Sequence, residues 1–254
     1  MKKVVTICIK KNEKNRRIRM WQVFCRIVVL AFLLSGYAAQ AITFDVADDF
    51  SATNNPNGAW SYGWSSTLTS ALNQYPDSSK MGELAGTPIN IDTWSNWGQF
   101  SSYSPNVAHN GTGSINNEHP TITWQVGQFS LHPGDNGVYS HARWTATSAG
   151  TIDIDAIFTG IDYYYGTTTD VHVFYNSNSL FDGTINGYGN TASFSTTVSV
   201  GMGDIIDFAV GDGGNGPTCD TTALSATIIP EPATLLLLGL GGLALRAKNG
   251  RRKA

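Results

Sequence analysis

The chain has 254 residues, 27 glycines, three cysteines and a formal net charge of −3, a length that allows one or two domains. Its cations lie almost entirely at the two ends, because Lys80 and Arg143 are the only Lys or Arg residues between positions 42 and 229. Roughly seventeen Asp and Glu residues face those two cations, so this region carries about −15, which excludes nucleic acid and anionic membrane surfaces as partners and leaves calcium and neutral glycans.

The N-terminal segment has the layout of a secretory signal. Nine Lys and Arg residues lie within positions 1–26, an apolar run covers 27–34, and small residues lead to Ala39 and Ala41. These features predict that residues 1–41 form a signal peptide that is cut after Ala41, with Met20 as an alternative start. An uncut anchor is disfavoured because the apolar run is too short to span a bilayer well. The Sec translocon and signal peptidase are therefore expected partners.

The region from 42 to 229 predicts one β-sandwich domain. Short runs in which apolar and polar residues alternate are separated by Asn-Gly, Pro-Gly and Gly-Gly turn signals. About ten strands are predicted, at 42–46, 59–64, 89–94, 121–126, 138–145, 151–156, 170–174, 193–200, 205–210 and 223–229. This pattern favours an all-β, antiparallel sandwich of the jelly-roll kind. The Asn- and Ser-rich stretch 101–118 is predicted to be a long loop over one end.

Catalytic signatures are weak in this region. There is no Gly-x-Ser-x-Gly elbow and no Cys–His signature, and Cys219 is the single cysteine after position 41, so it has no intrachain disulfide partner and is expected to be a free thiol. Asp153 and Asp155 share one face of a predicted strand, at roughly the 5–9 Å separation that glycosidases use. A charged, solvated strand face explains them better, because no apolar pocket that would raise a pKa is evident there. We therefore predict a protein without enzymatic activity.

Aromatic residues suggest a sugar-binding surface. Trp60, Tyr62 and Trp64 alternate along one predicted strand, so they share a face that is either core or a platform for glycans, with core as the default. Tyr163, Tyr164 and Tyr165 lie between Gly160 and Gly166, in a loop-like setting that favours exposure.

Two further features involve charged residues. The glycine-rich stretch from Asp212 to Asp220 contains acidic oxygen donors suited to Ca²⁺, although a plain turn-rich loop is the favoured interpretation. Apart from such a Ca²⁺ ion, no cofactor is expected. Arg143 stands among many acids, so we expect a structural ion pair with an Asp; binding of a ligand is the alternative.

The C-terminal segment, 230–254, has three parts. Pro230-Glu231-Pro232 is followed by an apolar run at 233–245 and then by five Lys and Arg residues. A helix of thirteen residues covers about 20 Å, less than the roughly 30 Å hydrocarbon core, and the basic tail favours a cytoplasmic end. Together with the N-terminal signal, this segment resembles the PEP-CTERM sorting signal of Gram-negative bacteria. The same tail is also known under the label of an ice-binding protein C-terminal domain.

That resemblance implies processing near Pro-Glu-Pro by an exosortase, a membrane protease. It also implies a short stay in the inner membrane as a hydrophobic helix, followed by delivery to the outer envelope, the cell surface or the extracellular matrix. Segments at 57–63, 132–134, 143–144, 169–173 and 203–211 resemble exported bacterial β-domains that carry this tail, and the resemblance supplies no catalytic residue. The leading hypothesis is a surface-sorted, non-enzymatic envelope or matrix protein. The alternatives are a carbohydrate-binding module that docks to extracellular polysaccharide, and a glycan-active enzyme.

Overall fold

The described residues of the body form fourteen strands and two short 3-10 turns. The computed structural model describes residue 22 and residues 42–82, 88–100 and 103–231. The strands are β1 (Phe44–Asp45), β2 (Trp60–Ser65), β3 (Asn73–Gln74), β4 (Asp77–Lys80), β5 (Asp92–Ser95), β6 (Asn106–His109), β7 (Phe129–His132), β8 (Tyr139–Thr145), β9 (Gly150–Gly160), β10 (Thr168–Tyr175), β11 (Asn178–Asn186), β12 (Thr191–Val200), β13 (Ile205–Val210) and β14 (Thr222–Pro230). The 3-10 turns cover Trp97–Gln99 and Asp135–Gly137.

The strands form two antiparallel sheets. Sheet A has the order β12-β9-β14-β7-β6-β5-β4, with β1 paired to the last part of β14. Sheet B has the order β11-β10-β13-β8-β2-β3. The residues from 42 to 231 that the structure describes all belong to one compact unit.

The last eight strands give the fold its topology. Successive strands cross from one sheet to the other, except for the β10–β11 hairpin within sheet B. The resulting orders, β12-β9-β14-β7 and β11-β10-β13-β8, are those of a jelly roll. The predicted all-β, jelly-roll sandwich is thus confirmed. Strands β2 to β6 extend both sheets on the β7 and β8 side.

The main core lies between the sheets. Trp60 and Tyr62 from β2, Trp144 from β8, Phe158 from β9 and Phe208 from β13 are all buried there. Each is at an inward position of its strand, where alternation aims every second side chain at the other sheet. Aromatic side chains bury large areas, so they contribute most of the hydrophobic stabilisation of this interior.

A second, smaller apolar cluster covers part of the outer face of sheet A. Ile91, Ala108, Ile122, Trp124 and Ile161 form its centre. The segment between β6 and β7 crosses this face and seats Trp124 there, with the indole N–H donating to Ser130 Oγ at 3.0 Å. This arrangement corrects the predicted strand at 121–126, which makes only isolated bridges at Ile122 and Trp124 because it packs on the sheet rather than joining it.

Other strand predictions also need correction. The stretch 101–118, predicted to be a loop, contains β6, an interior strand of sheet A. Strands β3, β4, β7 and β11 were not predicted either. They are short or polar, as in the Asp-Ser-Ser-Lys sequence of β4, so their order comes from pairing with neighbours and not from local alternation.

The sandwich has two distinct ends. The connections at 133–138, 161–167, 187–190 and 211–221 lie together at one end, which we call the loop end. β14 starts at the loop end with Thr222 opposite Gly160 and finishes at the other end with Pro230 opposite Ile152. Its nine residues span about 30 Å. The start of the C-terminal segment is therefore at the far end from these loops.

The predicted terminal segments lie mostly outside the described residues. This applies to the signal peptide with Ala39 and Ala41, to Pro232 and to the apolar run at 233–245. Pro230 is the last residue of β14, so that strand runs one residue into the predicted sorting segment, and the Glu231 amide still donates to Thr151 O at 2.9 Å. Among the residues with described positions, no helix is long and apolar enough to cross a membrane.

Candidate functional site

Four exposed tyrosines lie together on two neighbouring loops of the loop end. Tyr163, Tyr164 and Tyr165 lie on the β9–β10 loop and Tyr188 lies on the β11–β12 loop, with side chains between 47% and 73% exposed. We call these four residues the tyrosine surface. Aromatic side chains of a small sandwich are usually buried, so a group of exposed rings on neighbouring loops is an informative departure.

The two loops are bonded to each other. The Gly187 amide donates to Thr167 O at 2.7 Å, the Gly189 amide donates to Gly160 O at 2.8 Å, and the Gly160 amide donates to Asn190 O at 3.0 Å. This close approach requires glycine, because a Cβ at Gly160 would lie 2.7 Å from Gly187 O. The hydrogen bonds between the two loops therefore fix the backbone from which the tyrosine side chains extend.

The rings meet edge to face. The centroids of Tyr163 and Tyr188 are 6.2 Å apart with planes at 87°, and those of Tyr164 and Tyr165 are 4.5 Å apart at 78°. Tyr163 is also fixed at both ends: its amide donates to Thr121 O at 2.9 Å and its hydroxyl to Pro120 O at 2.8 Å. Such T-shaped pairs leave ring faces with different orientations open to solvent.

Two buried carboxylates lie close to the tyrosine loop. Asp220 Oδ1 accepts from the Thr168 amide at 2.7 Å and the Thr168 hydroxyl at 3.0 Å, and Asp162 Oδ2 accepts from the Thr121 hydroxyl at 3.2 Å. Their other oxygens are buried and have no partner of good hydrogen-bond geometry in the described part of the chain. Burial raises the pKa of Asp162, and burial together with the nearby charges of Asp212 and Asp162 raises the pKa of Asp220 to about 7.

The calcium candidates do not form a ligand set of side chains. Asp212 Oδ1 accepts from the Gly214 amide at 2.9 Å, which makes it part of its own turn. Among residues 42–82, 88–100 and 103–231, no three His, Cys, Asp or Glu side chains come together as metal ligands. Calcium binding by Asp212 and Asp220 stays a hypothesis. Cys219, between the acids, is a free, partly buried thiol whose pKa is raised by burial.

The aromatic residues of β2 are not a sugar platform. Trp60 and Tyr62 are fully buried between the sheets, and the Trp60 indole donates to Asp49 Oδ2 at 3.2 Å. Trp64 is half-buried against the core and meets the Phe100 ring edge to face at 5.2 Å. The possibility that Trp60 and Tyr62 contact glycans is therefore wrong, since β2 is an interior strand whose inward face meets the other sheet.

Arg143 forms an ion pair on the outer face of sheet B. Its guanidinium nitrogens Nε (3.1 Å) and Nη2 (2.5 Å) donate to Asp207 Oδ2, while Asp207 Oδ1 lies 3.1 Å from His141 Nδ1. Asp207 is buried, which by itself raises the pKa of its carboxyl, but its interactions with His141 and Arg143 hold that pKa below the usual range. Arg143 and Asp207 are directly opposite in the β8–β13 register, which explains why the pair forms.

The same network contains a serine–histidine–aspartate sequence of contacts. Ser65 Oγ lies 2.6 Å from His141 Nε2, but its hydroxyl donates to Thr67 O at 2.8 Å. A serine nucleophile must donate its proton to the histidine. Here the Ser65 hydroxyl donates to a backbone carbonyl instead. Ser65, His141 and Asp207 are also buried, so a substrate has no access to them. The arrangement is structural.

Asp153 and Asp155 lie on the outer face of sheet A. Asp153 Oδ1 accepts from the Thr197 hydroxyl at 2.5 Å, and Asp155 is exposed opposite Ser195 and Thr227. Asp153 has Thr197 on one side and the half-buried Ile229 on the other, whereas both cross-strand neighbours of Asp155 carry hydroxyl side chains. This setting fits a solvated strand face.

Some polar and aromatic sites were not predicted. His172 lies between two carboxylates, with Nε2 2.8 Å from Asp170 and Nδ1 2.6 Å from Asp182; hydrogen bonds to both acids raise its pKa despite burial. Asp170 and His172 share one face of β10 at period-two spacing, whereas Asp182 joins them only through the β10–β11 register. Tyr188 had a usable signal, because it lies between Gly187 and Gly189, much as the Tyr163 run lies between glycines.

Comparison with solved structures gives distant matches to β-sandwich domains. One is the family 51 carbohydrate-binding module (CBM51) of a GH95 protein from Clostridium perfringens in complex with methyl-galactose: 14% identity, 47% of this chain, 90% of that chain, TM-score 0.31. A family 35 carbohydrate-binding module from Clostridium thermocellum has 13% identity over 56% of this chain and 90% of that chain, with a TM-score of 0.27. Rabbit GITRL has 15% identity over 35% of this chain and 71% of that chain, with a TM-score of 0.27. At these scores the matches carry no conclusion on function.

The C-terminal segment has a clear match. None of the curated proteins matches this sequence. The model of the PEP-CTERM protein-sorting motif matches residues 229–253, and this confirms the sequence resemblance. The chain thus carries a PEP-CTERM protein-sorting motif behind a jelly-roll β-sandwich.

Proposed function

We propose that this protein is exported, sorted to the cell surface and built into the envelope or extracellular matrix, where its β-sandwich attaches to neutral polysaccharide without catalysing a reaction. The observation that carries this proposal is the tyrosine surface: four exposed rings on two loops that are bonded to each other. The PEP-CTERM motif supports the route.

The chemistry of tyrosine suits sugar rings. An exposed aromatic face packs against the C–H face of a pyranose, and the phenol hydroxyl at the ring's edge bonds to sugar hydroxyls. Tyrosine also loses little conformational entropy on binding, since it has only two side-chain torsions. The loop-to-loop hydrogen bonds reduce that cost further, because the backbone is already ordered.

The charge around the tyrosine surface favours neutral glycans over acidic ones. The loops 161–167, 187–190 and 211–221 contain no Lys or Arg, whereas Asp162, Asp212 and Asp220 lie within them. The two cations of the body are paired elsewhere, Lys80 with Asp92 and Arg143 with Asp207. An acidic polysaccharide meets no cationic side chain on these loops, so nothing there offsets its negative charge, whereas a neutral glycan needs no such partner.

The direction of β14 supports a role in display. That strand leads from the loop end to Pro230, so the sorting motif begins about 30 Å from the tyrosine surface. In a body that is delivered through its C-terminal segment, the described chain leaves the sandwich at Glu231, at the end opposite the tyrosines. The buried Ser65–His141–Asp207 network and the solvated Asp153 and Asp155 support a role without catalysis.

Affinity electrophoresis tests this function directly. The full chain is run in native gels that contain neutral glucans, galactans or mannans, and in gels that contain alginate or another polyuronate. We expect slower migration in at least one neutral gel and unchanged migration in the acidic ones. Unchanged migration in every gel would remove the polysaccharide-binding function. Release of sugar fragments from any gel polymer would remove the non-enzymatic assignment.

A further inference from the structure

Strand β12 forms a long free side of sheet A. It is the last strand of that sheet, and within the described residues its pairing is with β9 alone, from Thr191 opposite Thr159 to Val200 opposite Gly150. The register runs through all ten residues without a bulge. The strand is therefore straight and regular over its whole length.

The pairing pattern shows which backbone groups are free. The Gly160 amide donates to Asn190 O at 3.0 Å, and continuing this ladder gives the even-numbered residues of β12 the bonds to β9. The odd-numbered residues, Thr191 to Ser199, then aim their N–H and C=O groups away from the sheet. The Tyr175 hydroxyl donates to Ser199 O at 3.2 Å, as this direction requires. In the described part of the chain, no other bond to these outward groups is present.

The remaining edges of the sandwich are protected. β3 has two residues, and β4 has four and ends at Lys80. β11 carries Asp182 and has a register shift where it pairs with Val173 and Phe174 of β10. Short length, charge and bulges are the usual devices against edge-to-edge pairing. β12 has none of them: its sequence, Thr-Ala-Ser-Phe-Ser-Thr-Thr-Val-Ser-Val, contains no charge, proline or glycine.

The side of the sandwich next to β12 is also incompletely covered. On β9, the inward residues Ile152, Ile154, Ala156 and Phe158 are at most 2% exposed. One strand away, the inward residues Ala192, Phe194 and Val198 are only half-buried, and Phe194 packs on Phe181 of β11 at 5.5 Å. Apolar surface therefore remains exposed along the row formed by Ala192, Phe194 and Val198, and pairing of β12 with another strand would remove it from water.

We propose that β12 pairs antiparallel with β12 of a second copy, joining the two A sheets into one continuous sheet. The partner fits by charge: the body carries about −15, yet this edge is neutral, so two copies meet here without bringing carboxylates opposite each other along the strands. Identical antiparallel strands form a two-fold, self-complementary interface, which closes at the dimer. In this pairing, residues whose side chains lie on the outer face of sheet A oppose residues of the same kind. The half-buried inward side chains of both copies therefore lie on the same side of the joined sheet.

Ser195, in the middle of β12, offers a specific test. Its N–H aims away from β9, so Ser195→Pro removes an intermolecular donor and leaves the β9–β12 ladder intact, as proline on an edge strand does. Ser195→Ala keeps the N–H and is the matched control. In sedimentation of the full chain in mild detergent, we expect twice the mass of one chain for the wild type and Ser195→Ala. We expect the mass of one chain for Ser195→Pro, with an unchanged far-ultraviolet circular dichroism spectrum. A monomeric wild type at 100 µM would overturn the proposal.

Cross-linking keeps the test decisive if Ser195→Pro does not fold. With the three native cysteines replaced by serine, Ser195→Cys/Thr197→Cys brings thiols to the middle of the proposed pair, where opposed Cα atoms lie about 4.5–5.5 Å apart. Ser225→Cys/Thr227→Cys, on the same face of interior strand β14, is the control. Oxidation should link copies of the first variant and not of the second. A dimer that links equally in both, or in neither, would show association through another surface.

Discussion

Two groups of aromatic residues look alike in the sequence and differ completely in the fold. Trp60 and Tyr62 lie on an interior strand and fill the space between the sheets. The other group, Tyr163, Tyr164, Tyr165 and Tyr188, lies on loops at one end and is about half to three quarters exposed. The first group holds the sandwich together. The second group contributes little to folding, so its ring faces are available for binding. Position on a strand or a loop, and not residue type, decides the role.

The largest expected effect is the loss of a core aromatic. Trp60→Ala removes a fully buried indole that packs near Phe208, with ring centroids 6.1 Å apart. We expect the free energy of unfolding to fall by about 3–5 kcal/mol, from lost transfer energy and the cavity that remains. Urea unfolding followed by tryptophan fluorescence measures this. A loss below about 1 kcal/mol would mean that Trp60 is not a core residue.

The next largest effect is expected for the ion pair between Arg143 and Asp207 on the outer face of sheet B. Arg143→Ala leaves the buried Asp207 carboxylate with His141 alone, and breaking a buried pair from one side costs about 3 kcal/mol. Lys80→Ala, in the more exposed pair with Asp92, should cost at most about 1 kcal/mol. Chemical denaturation of both variants measures the contrast. Equal losses of unfolding free energy in the two variants would contradict a stabilising role for the Arg143–Asp207 ion pair.

A pH effect is expected from the carboxylate close to the tyrosine loop. Because the pKa of Asp220 is raised to about 7 in the fold, its neutral form is the one that the folded state favours. Its contribution to stability is therefore complete below about pH 4 and is lost as the pH rises through about 7. Asp220→Asn should remove this decline in the free energy of unfolding, which is on the order of a few kcal/mol. Melting temperatures of the wild type and the variant between pH 4 and 8 test this prediction. An unchanged decline in the variant would mean that a group other than Asp220 causes the loss of stability.

The smallest expected effect on stability belongs to the tyrosine surface. Tyr164→Ala/Tyr165→Ala removes two exposed rings that pack chiefly on each other, so the free energy of unfolding should change by no more than about 0.5 kcal/mol. The same urea titration as for Trp60→Ala gives the comparison. A loss of 2 kcal/mol or more would mean that these rings support the loops rather than serve a ligand.

The sequence predicts this molecule where local pattern decides structure. Alternation along 151–156, 170–174 and 193–200 identified three long strands, and the glycines around Tyr163–Tyr165 indicated a loop. The polar strands β4 and β6 have no such pattern and depend on partners far along the chain. Trp124 illustrates the same limit, because its indole is buried by a segment that lies across a sheet and not within it.

The candidate site follows the same rule. The exposed run Tyr163–Tyr165 has a local signature, but its neighbour Tyr188 joins it only because β9, β10, β11 and β12 meet at one end. The contact of His172 with Asp182 likewise arises from the register between β10 and β11, whereas Asp170 lies two residues before His172 on the same strand face. Period-two spacing gave Trp60 and Tyr62 a common face but did not say which side of the sheet faces the core.

The central claim is that the loop tyrosines bind glycan and the core aromatics do not, and one paired measurement tests it. Affinity electrophoresis in the retarding neutral polysaccharide is run with the wild type, with Tyr164→Ala/Tyr165→Ala and with Met202→Ala, an exposed apolar control at the opposite end of the sandwich. We predict at least a tenfold loss of affinity for the tyrosine variant, about 1.4 kcal/mol, with an unchanged melting temperature, and no loss for Met202→Ala. Equal affinity of all three proteins would contradict the claim.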